Sequence, residues 1–519
     1  MIISFDQAAP WKGRPSIYSY IRDQGESVNG TLPDDDEFWA DSKLRWASGA
    51  LDGVLSHHAA GSEREEEVDE IVELLAKHSQ EMKHATRKAL YMKLATAQIS
   101  SIIDDILEQI RTHPGISPEP LFHEAVWLSE HGAHRNVVKF GIALLGLFQN
   151  EHVKELLLTL GRHDEFTLYA AVAIQNGMDD SNEVLWELAK HVHGWGKIHL
   201  VERLEPATQE IRDWLLRYGC QNNIMDEYLA CICARNGGLQ EALSADQVDR
   251  ELYDGATDII EALLNGGPAE DIDDYEYAPQ VLSDYVRLAR EMCSTVKHLS
   301  VMLHLHDFLA QDEERRNERM SAGWTEQLRT DTIGAVQVII AQSKWKENVL
   351  EAIESGESVH RYYGIACAGK LGIDIWEILY HQLAEDPLQD SLYLQLMKSE
   401  DPSRIQKLVQ FAEERLPLQH IATGPGDEMG LGKEYIAHQC LNSILQSLER
   451  FAGIGERLVK AGLSSPVVRN RNMALRALEG WDAASWGEQL IGAVVHLSEI
   501  ETEEAVKERI QALREAKGV

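Results

Sequence analysis

Arg361–Gly372, RYYGIACAGKLG, and its looser copy Arg471–Trp481, RNMALRALEGW, share a rhythm close to Arg-x-x-Ala-Ala-x-Ala-Leu-Gly-x-Leu. Small residues at helical spacing take the bulk off one face of a helix, so that a second helix can lie close against it. The same phase recurs upstream, with paired small or apolar residues three and four, then six and seven, places after an anchor. Lys139 leads to Ile142, Ala143, Leu145 and Gly146, and Thr167 to Ala170, Ala171, Ala173 and Ile174. Lys197 leads to Leu200, Val201 and Leu204, with Arg203 the polar exception. Asp226 and Ala256 repeat it, with Leu229, Ala230, Ile232 and Cys233, then Ile259, Ile260, Ala262 and Leu263. Successive anchors stand 28, 30, 29 and 30 residues apart, a fixed period of the length that marks stacked supersecondary units.

Two short helices joined by a tight turn cannot bury their apolar stripes alone, so each pair needs a neighbour on either side. The expected fold is therefore all-α, a HEAT-like α-solenoid of stacked helix pairs. Gly161-Arg-His-Asp, Gly194-Trp-Gly and Gly219-Cys-Gln-Asn supply turns, with glycine and short polar side chains where helices stop. Core packing is a sufficient role for the patterned positions themselves.

Composition bounds the function. Hydrophobic residues make up 44% of the 519, enough for a continuous core. The longest apolar run, Phe140–Phe148, is half of the 18 or so residues that a membrane span needs. The opening MIISFDQAAPWKG lacks a basic segment followed by an apolar one, so a cytoplasmic location is expected. The six cysteines show no CxxC spacing and are expected to be buried thiols. With 49 basic against 85 acidic residues, the chain is a poor match for nucleic acid or anionic membranes and would suit a basic partner or plain solubility.

Along the chain, residues 1–60 lack the repeat and are rich in aromatics, including Trp11, Tyr18, Phe38 and Trp46, which reads as an N-terminal cap. Residues 61–120 read as a long helical segment, with one helix expected from Gln80 to Arg111. Clear repeats occupy 121–267. An acidic loop, Pro268–Tyr277, and a helical connection fill 268–348, and repeats return over 349–415, with Ser391 a looser anchor. C-terminal repeats occupy 434–519, after a Gly-rich loop at 416–433.

That loop contains LPLQHIATGPGDEMGLG. Gly424, Gly426, Gly430 and Gly432 would let backbone amides approach a ligand, and Lys433 follows, so these five are the candidate cofactor-binding residues; the plainer reading is a flexible surface loop. It is no Walker motif, because Asp427 stands at the first glycine position and Glu434 follows Lys433. Nor is it a dinucleotide fingerprint, because the glycines are one residue too widely spaced and no strand precedes them. Glu81 with His84 and Glu357 with His360 have the Glu-x-x-His spacing of di-iron bundles, but no further pair of glutamates can be picked out, and no metal site is assigned.

The C-terminal SPVVRNRNMALRALEGW beginning at Ser465 resembles a bacterial family of acidic HEAT-like proteins, some of whose members carry the name limonene hydroxylase. Gly430-Leu-Gly, Ser443-Ile-Leu, Pro15-Ser-Ile-Tyr and Leu44-Arg-Trp-Ala-Ser-Gly-Ala-Leu-Asp-Gly extend the resemblance over nearly the whole chain. The name implies hydroxylation of a small apolar terpene to perillyl alcohol and carveol, with NAD(P)H and oxygen. The residues do not display the haem, flavin or metal ligands that oxygen activation uses, and no cofactor is evident from them. A binding or scaffold protein for protein partners needs only the concave surface of stacked helix pairs, and that is the reading the residues favour. Arg361 and Arg471, at the start of inner helices, and Arg469, on the far side of its helix, are the candidate binding-surface residues.

Overall fold

The computed structural model describes residues 14–25, 30–40, 42, 44–53, 65–149, 151–311 and 313–519, and every regular element among them is a helix. Helix starts are written into the sequence: the side chains of Ser16, Thr208, Asp249, Thr295, Thr325 and Asp401 each accept a hydrogen bond from an amide of the first turn. The chain separates into two compact units, Met1–Gln342 and Ser343–Val519.

In the first unit the helices Arg135–Leu145, Asp164–Gly177, Gly194–Val201, Glu227–Gly237, Arg250–Asn265, Val296–Leu309 and Glu326–Ile340 pack each against the next. Outer helices such as Pro118–His131, Lys154–Gly161 and Ser181–Ala189 cover them pairwise. Lys139, Thr167, Lys197 and Ala256 are buried in this ladder together with Ile142, Ala170, Leu200 and Ile259 behind them. The α-solenoid arrangement of stacked pairs is thus present, in the phase read from the small residues. Within this unit it also continues past residue 268, where Ala278–Met292, Val296–Leu309 and Glu326–Ile340 are further packed helices. The acidic stretch Pro268–Tyr277 is the turn from Arg250–Asn265 into Ala278–Met292, held by Arg235, which reaches Glu270, Glu276 and the Asp274 carbonyl.

Residues 80–111 do not form the single helix expected. Met82 takes φ 47°, which ends Glu65–Glu81, and the chain then forms His84–Thr96, a 3-10 turn at Ile99–Ser101, and Ile103–Thr112. The break folds His78 and Arg87 back toward each other so that both bond the buried Glu124, at 2.9 Å from His78 Nε2 and 2.9 Å from Arg87 Nε. Burial alone would raise the Glu124 carboxyl, but these two partners hold it below its ordinary range.

The described part of the N-terminal cap is fastened to this unit by charge. Asp34 accepts from the Arg135 amide at 2.7 Å and its guanidinium at 3.1 Å, while Lys139 donates to Asp52 and to Glu165, each at 2.6 Å. Gly49, at φ 73°, donates its amide to Glu165 at 3.1 Å, and a Cβ there would lie 2.6 Å from the Asp164 carbonyl. A Cβ on Gly53 would lie 2.3 Å from the Trp195 ring. Glycine is required wherever backbone meets backbone or ring this closely. Trp11 and the polar start at 61–64 lie outside the described residues.

In the second unit Lys344–Glu354 pairs with Ser358–Leu371, and Trp376–Glu385 with Asp390–Leu396. The inner helices Asp390–Leu396, Ile436–Leu445, Val468–Gly480 and Glu504–Lys517 then pack in succession. Ser391 is out of phase as an anchor: Leu392, Tyr393, Leu396 and Met397 are buried, and Leu394 is exposed. Its seven-residue helix is clamped between Trp376–Glu385 and Ile436–Leu445 and is not laid along Ser358–Leu371. A gap in the stack is the consequence.

Candidate functional site

The glycine-rich segment is packed down and does not swing free. The Gly424 amide donates to the Ser464 carbonyl at 2.8 Å, the Glu428 amide to Pro466 at 3.3 Å, and the Val468 amide back to Glu428 at 3.2 Å. Glu428 and Val467 thereby form a single parallel bridge. Gly430 has φ 74°, and a Cβ on it would come within 2.7 Å of Val467 Cγ1, so glycine serves close packing here. Its carbonyl accepts from Gln439 at 3.0 Å, and Gly426 offers its carbonyl to Arg471 at 2.8 Å. Gly432, at φ 98°, turns the chain into Lys433–Tyr435, where Lys433 is exposed. The segment is a strap along 464–468, and the amides of Gly424 and Glu428 are already bonded to protein carbonyls.

Arg471 is not on the surface. Its side chain is fully buried, with Nε 2.7 Å and Nη2 2.8 Å from the Glu501 carboxylate, and Nη1 at 2.8 Å from the Ser465 carbonyl. An arginine beginning an inner helix points along the small-residue stripe, so its five donors meet the backbone of the neighbouring turns and not solvent. The Glu501 side chain is equally buried and also accepts from the amides of Thr502 and Glu503, just ahead of the last helix, Glu504–Lys517. Arg469, two residues earlier, is exposed. The structure therefore brings Arg471 and Gly426 together as a fastening and leaves Arg469 apart from them.

Arg361 lies elsewhere, at a cleft of about 770 Å³ opened by the gap in the second unit. Ser358–Leu371 buries Gly364, Cys367 and Ala368 against Lys344–Glu354. Its other face, carrying Arg361, Tyr362, Ile365, Ala366, Gly369 and Lys370, forms one wall. Trp376, Leu379, Leu392 and Leu396 floor the cleft, and Lys398 and Arg404 stand on the opposite wall. Trp376 is fixed by its Nε1–H bond to the Leu396 carbonyl at 3.2 Å. Gln382 bonds the Ile353 carbonyl at 2.8 Å and Arg361 reaches Gln389 at 3.4 Å, which ties the two helix pairs together. Arg404 grips Asp374 at 2.6 and 3.2 Å and holds that carboxyl below its ordinary range.

The cleft has the size and mixed lining of a ligand site, an apolar floor with a few polar groups at the edge. Periodicity does not reveal it, because the wall residues Tyr362, Ala366, Gly369 and Lys370 lie off the buried phase. One signal was available: Tyr362 is large, on the side of the helix that the small-residue pattern leaves out, and more than 60% exposed. The Glu-x-x-His pair at 357 and 360 is an exposed contact of 2.9 Å. Among the described residues no group of three or more histidine, cysteine, aspartate or glutamate side chains is placed to hold a metal, and no helix is long and apolar enough to cross a membrane.

No family model and no curated protein matches this chain. Among solved structures, the crystal structure of an engineered protein is similar over 87% of this chain and 99% of its own, at 15% identity and a TM-score of 0.25. A likeness that slight carries no argument, and the fold rests on the helices described above.

Proposed function

We propose that this protein is a helical-repeat binding protein, a scaffold that holds a protein partner against the open face of Ser358–Leu371. The observation that carries the reading is the interruption of the second unit's stack, which leaves a face built for helix packing without a helix on it. A cytoplasmic place suits it, since all six cysteines are buried free thiols. Gly369 offers the direct test. A Cβ there meets no atom within 4 Å, and Gly369 is on the cleft wall, so Gly369→Trp puts its ring into the cleft and not into the core. Amphipathic helical peptides followed by fluorescence anisotropy are expected to bind the parent and not this variant, and equal binding to both would refute the cleft as the site.

The terpene reading implied by the family resemblance would use the same apolar floor. Incubation with limonene and NADH in air, with perillyl alcohol and carveol followed by gas chromatography, tests it. Product lost in Gly369→Trp would put the chemistry in the cleft; product lost on changing Gly424, Gly426 and Lys433 would put it at the strap.

A further inference from the structure

We infer that the segment the cleft receives is an acidic amphipathic helix of a partner protein, an inference that rests on the cleft being the binding site. Length is the first argument. The open stripe runs from Ser358 to Lys370 at the spacings of one helix face, about 20 Å at 1.5 Å per residue, which matches a partner helix of three to four turns lying alongside. Ala366 and Gly369 lie in the C-terminal half of the stripe, where their small side chains leave room for a second backbone, and a Cβ added at Gly369 meets open space.

Charge is the second argument. The chain as a whole carries a net charge of -36, yet Arg361, Lys370, Lys398 and Arg404 line this cleft with Asp374 as the only carboxylate among its lining residues. Asp374 is taken by Arg404, and neither Arg361 nor Lys398 makes an ion pair among the described residues. A net-negative surface repels an acidic segment from afar, so cations gathered at one place act only within a Debye length, about 8 Å. Their effect is selection for carboxylates flanking an apolar stripe, and rejection of lysines in the same places.

The test uses the full chain and two labelled peptides about four turns long. Both carry one leucine stripe, flanked by glutamates in one peptide and by lysines in the other. The acidic peptide is expected to bind, the basic one at least about tenfold more weakly, and Arg361→Glu with Lys398→Glu to reverse that order. If both peptides bind alike and Gly369→Trp blocks both, the cleft stands and the acidic-helix inference falls. If Gly369→Trp blocks neither, the cleft reading falls with it. Binding of neither peptide, or of oleate in their place, would overturn the inference. So would a dimer of the parent, seen by light scattering, that the double charge reversal dissociates, because the cleft would then belong to a second copy.

Discussion

Arg471 and Glu501 show how far a residue's role depends on where its helix points. Two opposite charges out of water are held only because every donor and acceptor is met, by each other, by the Ser465, Pro466 and Gly426 carbonyls, and by the Thr502 and Glu503 amides. Removing one partner leaves the other charged and alone. Arg471→Ala is expected to destabilise the second unit by about 3–5 kcal/mol, read from the shift of its urea midpoint. Replacing both, Arg471→Met with Glu501→Leu, should recover only part of that, because the three carbonyls and two amides remain unmet. Arg469→Ala, on an exposed site of the same helix, should leave the melting temperature unchanged; a comparable loss there would contradict the burial described.

The attachment of the N-terminal cap depends on protonation, because His163 interacts with the backbone of Gly30 and Glu165 accepts from the Gly49 amide. Burial drives the His163 imidazole down to about 4, and its Nδ1 accepts from the Glu165 amide at 3.2 Å. Burial pushes the Glu165 carboxyl up, but Lys139 and Arg135 outweigh it and bring it to about 2. For His163 the unfolded chain takes up a proton near pH 6.5 that the folded one refuses until about 4. Its stabilising effect is therefore whole above pH 6.5 and lost as pH falls to 4, about 3 kcal/mol. For Glu165 the contribution is present above pH 4.5 and lost as pH falls toward 2. Acid should thus loosen the cap in two stages, and His163→Gln should abolish the upper one; protease cleavage near Leu44–Gly53, followed against pH, reads both. Gly53→Ala drives a methyl into the Trp195 ring and should loosen the cap at every pH, by about 1–3 kcal/mol.

At the scale of the whole molecule, two compact units with their own cores should not unfold as one. Leu478 is completely buried in Val468–Gly480, so Leu478→Asp places a charge in the second core and should abolish that unit's calorimetric transition while leaving the first unit's in place. Loss of both transitions together would show a single cooperative body. Helix content, the stacking order and the buried phase of the first ladder were legible in the residues, since a period near 29 with small residues at fixed offsets leaves a helix little choice of which face to bury. The kink at Met82, the slipped phase at Ser391 and the conversion of the glycine loop into a strap were not, because each is decided by a neighbour distant in sequence: Glu124, Ile436–Leu445 and Ser464–Val468. The candidate site followed the same division. Sequence by itself determined that helices would stack and which stripes they would bury; only the tertiary structure decided where the stack fails to close, because a gap is a property of two helices' separation and no single helix encodes it.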